Sequence, residues 1–587
     1  MKHLDPCDPR LLLAPFILMG LTGAACSSSG GTDKFGLDPN LPRRIGGHIG
    51  PAVADSEQQS GPGRFVAPLL GIFESGAAMA VAADIDEHYR SPGSVGYEAA
   101  MDSVLAGLYG AGFGAEDGFD LKVISAAMAT PAWTPLSAEI NRVDVQDSGP
   151  PKTFPIGLFE EESDPSRLLM AEGSVACDLR GPVVFSMEDV SPGSILMTTE
   201  SVRNVEQKAV EQGAVGVISS RQLPYCVDPT GRSRHNDAIF HGSVRPGSTL
   251  PSFYVSPRMA RNIERAVEEG ATLELIGRVA TAVRELRTVV ATIRGTERPD
   301  EAIYVVTAVS GAGANDNAAG AAGMLEGARS LKRLIGSGQI ERPRRTVHFV
   351  FGKEAEAGGT ALDEMDDTPV AGVVADMIGA SYGETGAICL LERGWDPGAL
   401  VSLPPDAHTP WGAGSVAEED IVPNGLSLIL REALVDVGEE VAVEAGAPWT
   451  TREHPWEGGS DHDTFLGRGI PAALVWHFTD FAYGTSLDRM ANVDPDELRR
   501  TSVAIMAAAM AVADAQPADL PSYMESLTIE RDLRLRAASA SESGQGIRVL
   551  WTDWFSGAER WLRALTQGQP TPELEGLRSL DSIEVAR

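Results

Sequence analysis

Ile303-Tyr304-Val305-Val306-Thr307-Ala308-Val309 leads into Ser310-Gly311-Ala312-Gly313-Ala314-Asn315-Asp316-Asn317, and Met324, Leu325, Ala328 and Leu331 follow at helical spacing. An unbroken apolar, β-branched run is the pattern of a strand buried on both faces, and here it passes through small and polar residues into a helix. The alternation recurs. Thr346 to Phe351 reads as a second strand, Val370 to Ile378 as a third and Ala472 to Trp476 as a fourth, with helices between them. Such strands predict an α/β fold with a mostly parallel sheet covered on both sides. Its last helix opens at Asp494-Pro495-Asp496-Glu497, with an N-cap Asp, Pro at the first helical position and Glu at the third.

Upstream of this unit lies a helical stretch, Tyr97 to Tyr109, and a strand-like Leu121 to Ala127. Residues 146–168 are rich in Pro and acids and mark a boundary. Beyond it come a strand (Val183 to Ser186), a helix (Ser201 to Gln212), a strand (Val215 to Ser219) and a helix (Pro257 to Glu269). After about 515 a tail follows. There Trp554, Phe555, Ala558, Trp561, Leu562 and Leu565 share one helical face, which predicts packing on the body.

The chain has 587 residues, of which 43% are hydrophobic, enough for about three domains and a large core. With 48 basic and 82 acidic side chains it carries a net charge of −34, which argues against nucleic acid as a partner. The first 26 residues read as an export signal: Lys2 and Arg10, a short apolar run from Leu11 to Leu21, then Gly23-Ala24-Ala25-Cys26 before a Ser/Gly stretch. Cys26 in that setting resembles a bacterial lipoprotein cleavage site, although Gly23 stands where Leu is usual; plain signal cleavage is the alternative. The expectation is a protein of the bacterial cell envelope, in the periplasm or at the outer membrane, touching a membrane only through a lipid anchor at Cys26. Five cysteines are too few for a disulfide scaffold, and Cys177 with Cys226 is the one candidate pair.

Three acidic features follow successive strands: Gly313-Ala314-Asn315-Asp316-Asn317, Glu354-Ala355-Glu356 and Ala375-Asp376-Met377-Ile378-Gly379. Open parallel sheets place their sites at the carboxyl ends of strands, and carboxylates gathered there repel one another unless a cation or proton intervenes. These pieces, with Arg90-Ser91-Pro92-Gly93-Ser94-Val95-Gly96-Tyr97, Phe349-Val350-Phe351-Gly352-Lys353-Glu354, Gly459-Ser460-Asp461-His462 and Gly469-Ile470-Pro471-Ala472, resemble the zinc exopeptidases of metallopeptidase family twenty-eight. That family includes bacterial leucyl aminopeptidases, glutamate carboxypeptidases and the transferrin receptor. The middle of the chain resembles an inserted protease-associated (PA) domain, through Gly181-Pro182-Val183-Val184-Phe185, Gly213-Ala214-Val215-Gly216-Val217-Ile218 and Leu250-Pro251-Ser252-Phe253. The resemblance implies a signal peptide (1–26), a tether (27–65), a split peptidase-like domain (66–148 and 286–515), a PA domain (149–285) and a helical C-terminal extension (516–587).

The resemblance further implies removal of N-terminal residues from peptides at a site holding two zinc ions, with a peptide or protein as the partner. Asp316 takes the place of the bridging ligand, Asp376 of a terminal ligand and Glu354 of the general base. Three other ligand positions depart: Ala308, Ala355 and Gly484 stand where the family has His, Glu and His. Ala and Gly donate no side-chain lone pair, whereas a catalytic zinc needs about three protein ligands. What is left is an all-oxygen remnant suited to one other divalent cation or to none. The expectation is therefore an aminopeptidase-family protein of weak or lost activity, or a pseudopeptidase that binds peptides or a partner. A shifted register offers Glu356 for Ala355, and Lys353 is placed to separate the acids. Gly379-Ala380-Ser381-Tyr382-Gly383, with Asp461 and His477, matches a hydrolase nucleophile pattern, but another strand follows at Gly386 to Leu391 where that pattern needs a helix. His348, inside a strand, reads as a core or edge histidine.

Overall fold

A computed structural model describes residues 60–569, apart from 145, 147, 161–164, 402–403, 413, 415, 446–448 and 540–543. The signal peptide and nearly all of the expected tether lie outside the described residues. The chain enters through α1 (Gly63–Ile72), α2 (Ser75–Asp86), α3 (Val95–Gly110) and β1 (Phe119–Ala127). It continues through β2 (Ala132–Asp144), β3 (Lys152–Glu160), β4 (Cys177–Gly181), β5 (Val183–Val184), β6 (Ile195–Thr198), α4 (Val202–Glu211), β7 (Gly216–Ser219), β8 (Ser252–Tyr254), α5 (Pro257–Glu268) and β9 (Thr272–Ala282). The main unit follows as β10 (Glu285–Ile293), β11 (Arg298–Ala308), α6 (Ala318–Gly336), β12 (Arg345–Gly352), α7 (Ala357–Glu364), β13 (Thr368–Ala375), α8 (Tyr382–Thr385) and β14 (Ile388–Glu392). It closes with α9 (Leu426–Ala445), β15 (Thr451–His454), α10 (His462–Leu466), β16 (Ala472–Phe478) and α11 (Pro495–Ala513), and α12 (Leu520–Ser539) and α13 (Gly544–Gln567) form the tail.

The central sheet has eight strands in the order β1-β10-β12-β11-β13-β16-β14-β15. Its middle is parallel: β11 pairs in parallel with β12 and β13, and β13 with β16. β11 shows why an unbroken apolar run was required. Ile303 and Val305 face the cluster shared with α6 and α11, while Tyr304 and Val306 face a second cluster with Ala361 of α7 and Phe465 of α10. Alternate residues point to opposite faces, and both faces are dry. The order also brings the carboxyl ends of β12, β11, β13 and β16 to one edge.

Between β1 and β10 the chain builds two further four-stranded sheets, β3-β2-β9-β4 and β5-β6-β7-β8. The Pro- and acid-rich stretch read as a boundary holds β3, whose partner β2 lies upstream of it. The sheet of the middle unit thus takes in residues from Ala132 onward, ahead of the expected start at 149. A long hydrogen-bonded pairing of β2 with β9, 132–143 against 272–282, draws it in. Cys177, Cys226 and Cys389 are free buried thiols, which corrects the candidate Cys177–Cys226 disulfide. Cys177 Sγ instead lies 3.6 Å from Leu275 O, across the β4–β9 pair. In the tail, the apolar stripe of α13 is buried as expected, with Trp561, Leu562 and Leu565 fully covered.

Candidate active site

The site grows from the turn between β11 and α6. Asn317 caps α6, its Oδ1 accepting from Gly320 N (3.2 Å) and from Met377 N (2.9 Å), and its Nδ2 donating to Ala308 O (3.1 Å). One buried amide therefore ties the ends of β11 and β13 to the start of the helix. Asn315 does the same on the other side: Oδ1 accepts from Gly379 N (3.0 Å) and Nδ2 donates to Asp480 (3.2 Å). Asp488 accepts from the backbone N–H groups of Asn315 (2.8 Å) and Asp316 (2.9 Å). Arg90, wholly buried, donates to Val309 O, Ile85 O, His88 O and Gly313 O at 2.8–3.1 Å. These clamps hold Asp316 at the sheet edge.

Glu354 follows β12, and its backbone N–H donates to Ser310 Oγ (3.1 Å). Asp376 follows β13, which ends at Ala375, earlier than expected, because Met377 turns into the left-handed region at φ 54°. Asp376 Oδ2 accepts from Ser460 Oγ (2.8 Å), and its buried Oδ1 has no hydrogen-bond partner. The three acids are close enough to perturb one another. Burial, and then the charges of Asp376 and Asp316, push the Glu354 carboxyl up to about 9. Burial and the Asp376 and Asp488 charges raise Asp316 well above the usual carboxylate range, against the pull of Arg90. Burial also lifts Asp461 to about 7 and Asp480 to about 8.

Among the described residues, none of the histidines singled out from the sequence joins these acids where the resemblance expects imidazole ligands. Ala308 ends β11, opposite Gly352 in the ladder. Lys353 and Glu356 pair with each other at the surface, so neither the alternative ligand nor the separating cation enters the cluster. His477 is spent on Met377 O and Glu497 (both 3.2 Å), and Ser381 lies at the start of the short α8, so the Ser381–Asp461–His477 arrangement does not form. His462 bonds Glu392 (2.9 Å). His348 is a core histidine between Thr292 and Asp367, as expected.

His241, from the middle unit, was not singled out from the sequence. Its backbone N–H donates to Gly484 O (2.8 Å), but its Nε2 bonds Ser166 O, and burial holds the ring neutral, with its pKa lowered to about 4. Among the described residues, one trio of His, Cys, Asp or Glu brings its ligand atoms within 4.8 Å of one another, and it is Glu392, His454 and Glu457, not Asp316, Glu354 and Asp376. The residues present therefore do not fit a two-zinc centre.

A cleft of about 360 Å³ opens over Asp316. Tyr225, Trp411 and Tyr483 form an aromatic wall with ring centroids 6.0–6.5 Å apart, and Glu172, Phe240 and His241, from the middle unit like Tyr225, also line the cleft. Gly484 lines it at φ 65°.

Residues 288–365, a span containing both Asp316 and Glu354, match the model of Peptidase family M28. No curated protein matches the chain in sequence. Among solved structures the chain is similar to a peptidase M28 precursor from Shewanella amazonensis, with a TM-score of 0.51 at 18% identity over 77% of this chain and 97% of that one. It is also similar to BSAP, a zinc aminopeptidase from Bacillus subtilis, with a TM-score of 0.48 at 13% identity over 74% and 94%. At 18% identity the likeness to the Shewanella protein is one of fold.

Proposed function

For a chain that carries an M28 peptidase segment on an M28 peptidase fold, we propose a metallo-aminopeptidase-like protein of the bacterial cell envelope that has given up two-zinc hydrolysis and keeps its cleft to bind peptides. One observation carries the reading: Asp316, Glu354 and Asp376 stand beyond the ends of β11, β12 and β13, near enough to perturb one another, and Ala308, Ala355 and Gly484 occupy the positions where the resemblance expects the other ligands. The chemistry of those positions supports it, since Ala and Gly donate no side-chain lone pair and a catalytic zinc needs about three protein ligands. The cleft over Asp316 is also lined by Glu172 and Asp488, and the ammonium group of a peptide N-terminus would favour the ionised form of these acids while the rings supply apolar area. The middle unit, read as a PA domain, contributes part of the lining. Export and anchoring rest on the sequence up to Cys26.

The deciding experiment measures hydrolysis of aminoacyl chromogenic substrates with added zinc or manganese, beside calorimetric binding of short unblocked peptides. The expected result is binding without turnover, weakened by N-acetylation of the peptide. Turnover that disappears in Glu354→Ala overturns the proposal. Membrane fractionation of the wild type and Cys26→Ser tests the anchor.

A further inference from the structure

Glu392 and His454 end adjacent parallel strands, β14 and β15, where they are register partners. Glu457 lies three residues on, in the loop that folds back over them. The ligand atoms of all three lie within 4.8 Å of one another, at the far edge of the sheet from β1. Only 1% of Glu392 and 1% of His454 is exposed.

Glu392 and His454 are each oriented by other groups. Glu392 Oε1 accepts from Glu457 N (2.9 Å), Gly458 N (2.8 Å) and His462 Nε2 (2.9 Å). Those three donors saturate one oxygen and turn the other toward His454. That second oxygen, Oε2, is buried, accepts no hydrogen bond and stands 3.8 Å from His454 Nε2. A buried carboxylate oxygen in that state is costly unless a cation meets it. His454 Nδ1 donates to Pro455 O (2.8 Å), which places the ring's lone pair on Nε2. A backbone carbonyl behind an imidazole is the usual support of a metal-binding histidine. At present Nε2 accepts a long hydrogen bond from Trp476 Nε1 (3.2 Å), so an ion would take the place of that indole N–H. Trp395 and Trp456, packed edge to face at 5.8 Å, lie against the same cluster of the core.

We propose that Glu392, His454 and Glu457 form a binding site for one divalent transition-metal ion, separate from the Asp316–Glu354–Asp376 cluster. One imidazole and two carboxylates suit zinc, with a coordination position left for water, and suit the hard all-oxygen cations calcium and magnesium poorly. The site does not depend on the peptide-binding proposal, and its failure leaves that proposal standing.

The test uses the full chain with Asp316→Asn and Asp376→Asn, which removes the two candidate metal ligands at the sheet edge as competitors. The protein is stripped with chelator and titrated with zinc, with calcium as the control. Metal per chain and tryptophan emission are read together. The expected result is one zinc per chain, no calcium, and an emission change as the Trp476 N–H leaves His454. Adding Glu457→Gln, on the half-buried loop, weakens binding on the order of a hundredfold while thermal unfolding stays cooperative. Glu392→Gln does the same. If the Asn-substituted chain binds no zinc, or if its binding survives both glutamine changes, the site does not exist.

Discussion

At the scale of single residues, Arg90 shows how much of the site is held by groups that never touch a ligand. Its guanidinium makes four bonds to backbone carbonyls on two segments, 85–88 and 309–313. A lysine ammonium is a point charge with a different reach and cannot reproduce that fork. Arg90→Lys is expected to lower stability by ~3 kcal/mol or more in denaturant unfolding, because buried carbonyls lose their donors. The restoration variant Ala308→His, Ala355→Glu, Gly484→His likewise turns on single side chains. A Cβ at Gly484 meets nothing nearer than 3.8 Å, so there is room. Its φ of 65° costs a non-glycine residue about 1–2 kcal/mol. Ala355 already has φ 61° with a side chain in place, so Glu adds no new backbone strain there. The triple variant is expected to stay folded and to gain tightly held zinc at the cleft, measured as metal per chain. Unchanged metal content would show that the positions inferred for the lost ligands are wrong.

Between elements, the tail is attached by charge as well as by its tryptophans. Glu453 on β15 sits among Arg393, Arg431 and Arg534, the last from α12, and Arg431 and Arg534 also reach Glu530. All five side chains are buried or nearly so. Removing one member of such a network strands its partners, which typically costs about 3–5 kcal/mol. Glu453→Gln should fall in that range and should loosen α12, read as faster amide exchange there than in α11. Burial alone would raise the pKa of Glu453, but Arg431, Arg393 and Arg534 outweigh it and hold the group at about 2, against an ordinary value of 4.5. A depressed carboxylate stabilises fully above its unfolded pKa and loses that contribution as pH falls through the folded one. The wild type should therefore lose stability between about pH 4.5 and 2 more steeply than Glu453→Gln, as followed by circular dichroism.

Over the whole molecule, the buried acids act in the opposite sense. Asp86 and Asp461 are raised to about 7 and Asp480 to about 8, in each case chiefly by burial. The folded chain keeps protons that the unfolded chain releases above 3.8. Stability supplied this way is complete at low pH and declines as pH rises toward the folded values. In chelator, the melting temperature should fall from pH 5 to pH 8, and Asp480→Asn should flatten the fall. A melting temperature that rises over that interval would show that these acids are ionised in the folded state.

The sequence by itself determined the central layers. The apolar runs at 303–309, 346–351 and 472–476 admit burial on both faces and little else, and Asp494-Pro495 caps its helix through bonds between immediate neighbours. It also told which ligand positions lack a donor, because Ala and Gly carry none in any fold. It did not show β2, whose partner β9 lies more than a hundred residues away, nor β3, which pairs with β2, nor that Lys353 spends its charge on Glu356. Those points needed the folded chain, as did the raised pKa of Glu354 and the meeting of Glu392, His454 and Glu457. The reason is physical: periodicity and capping are local, whereas a pKa or a ligand set depends on which distant side chains burial brings within a few ångströms.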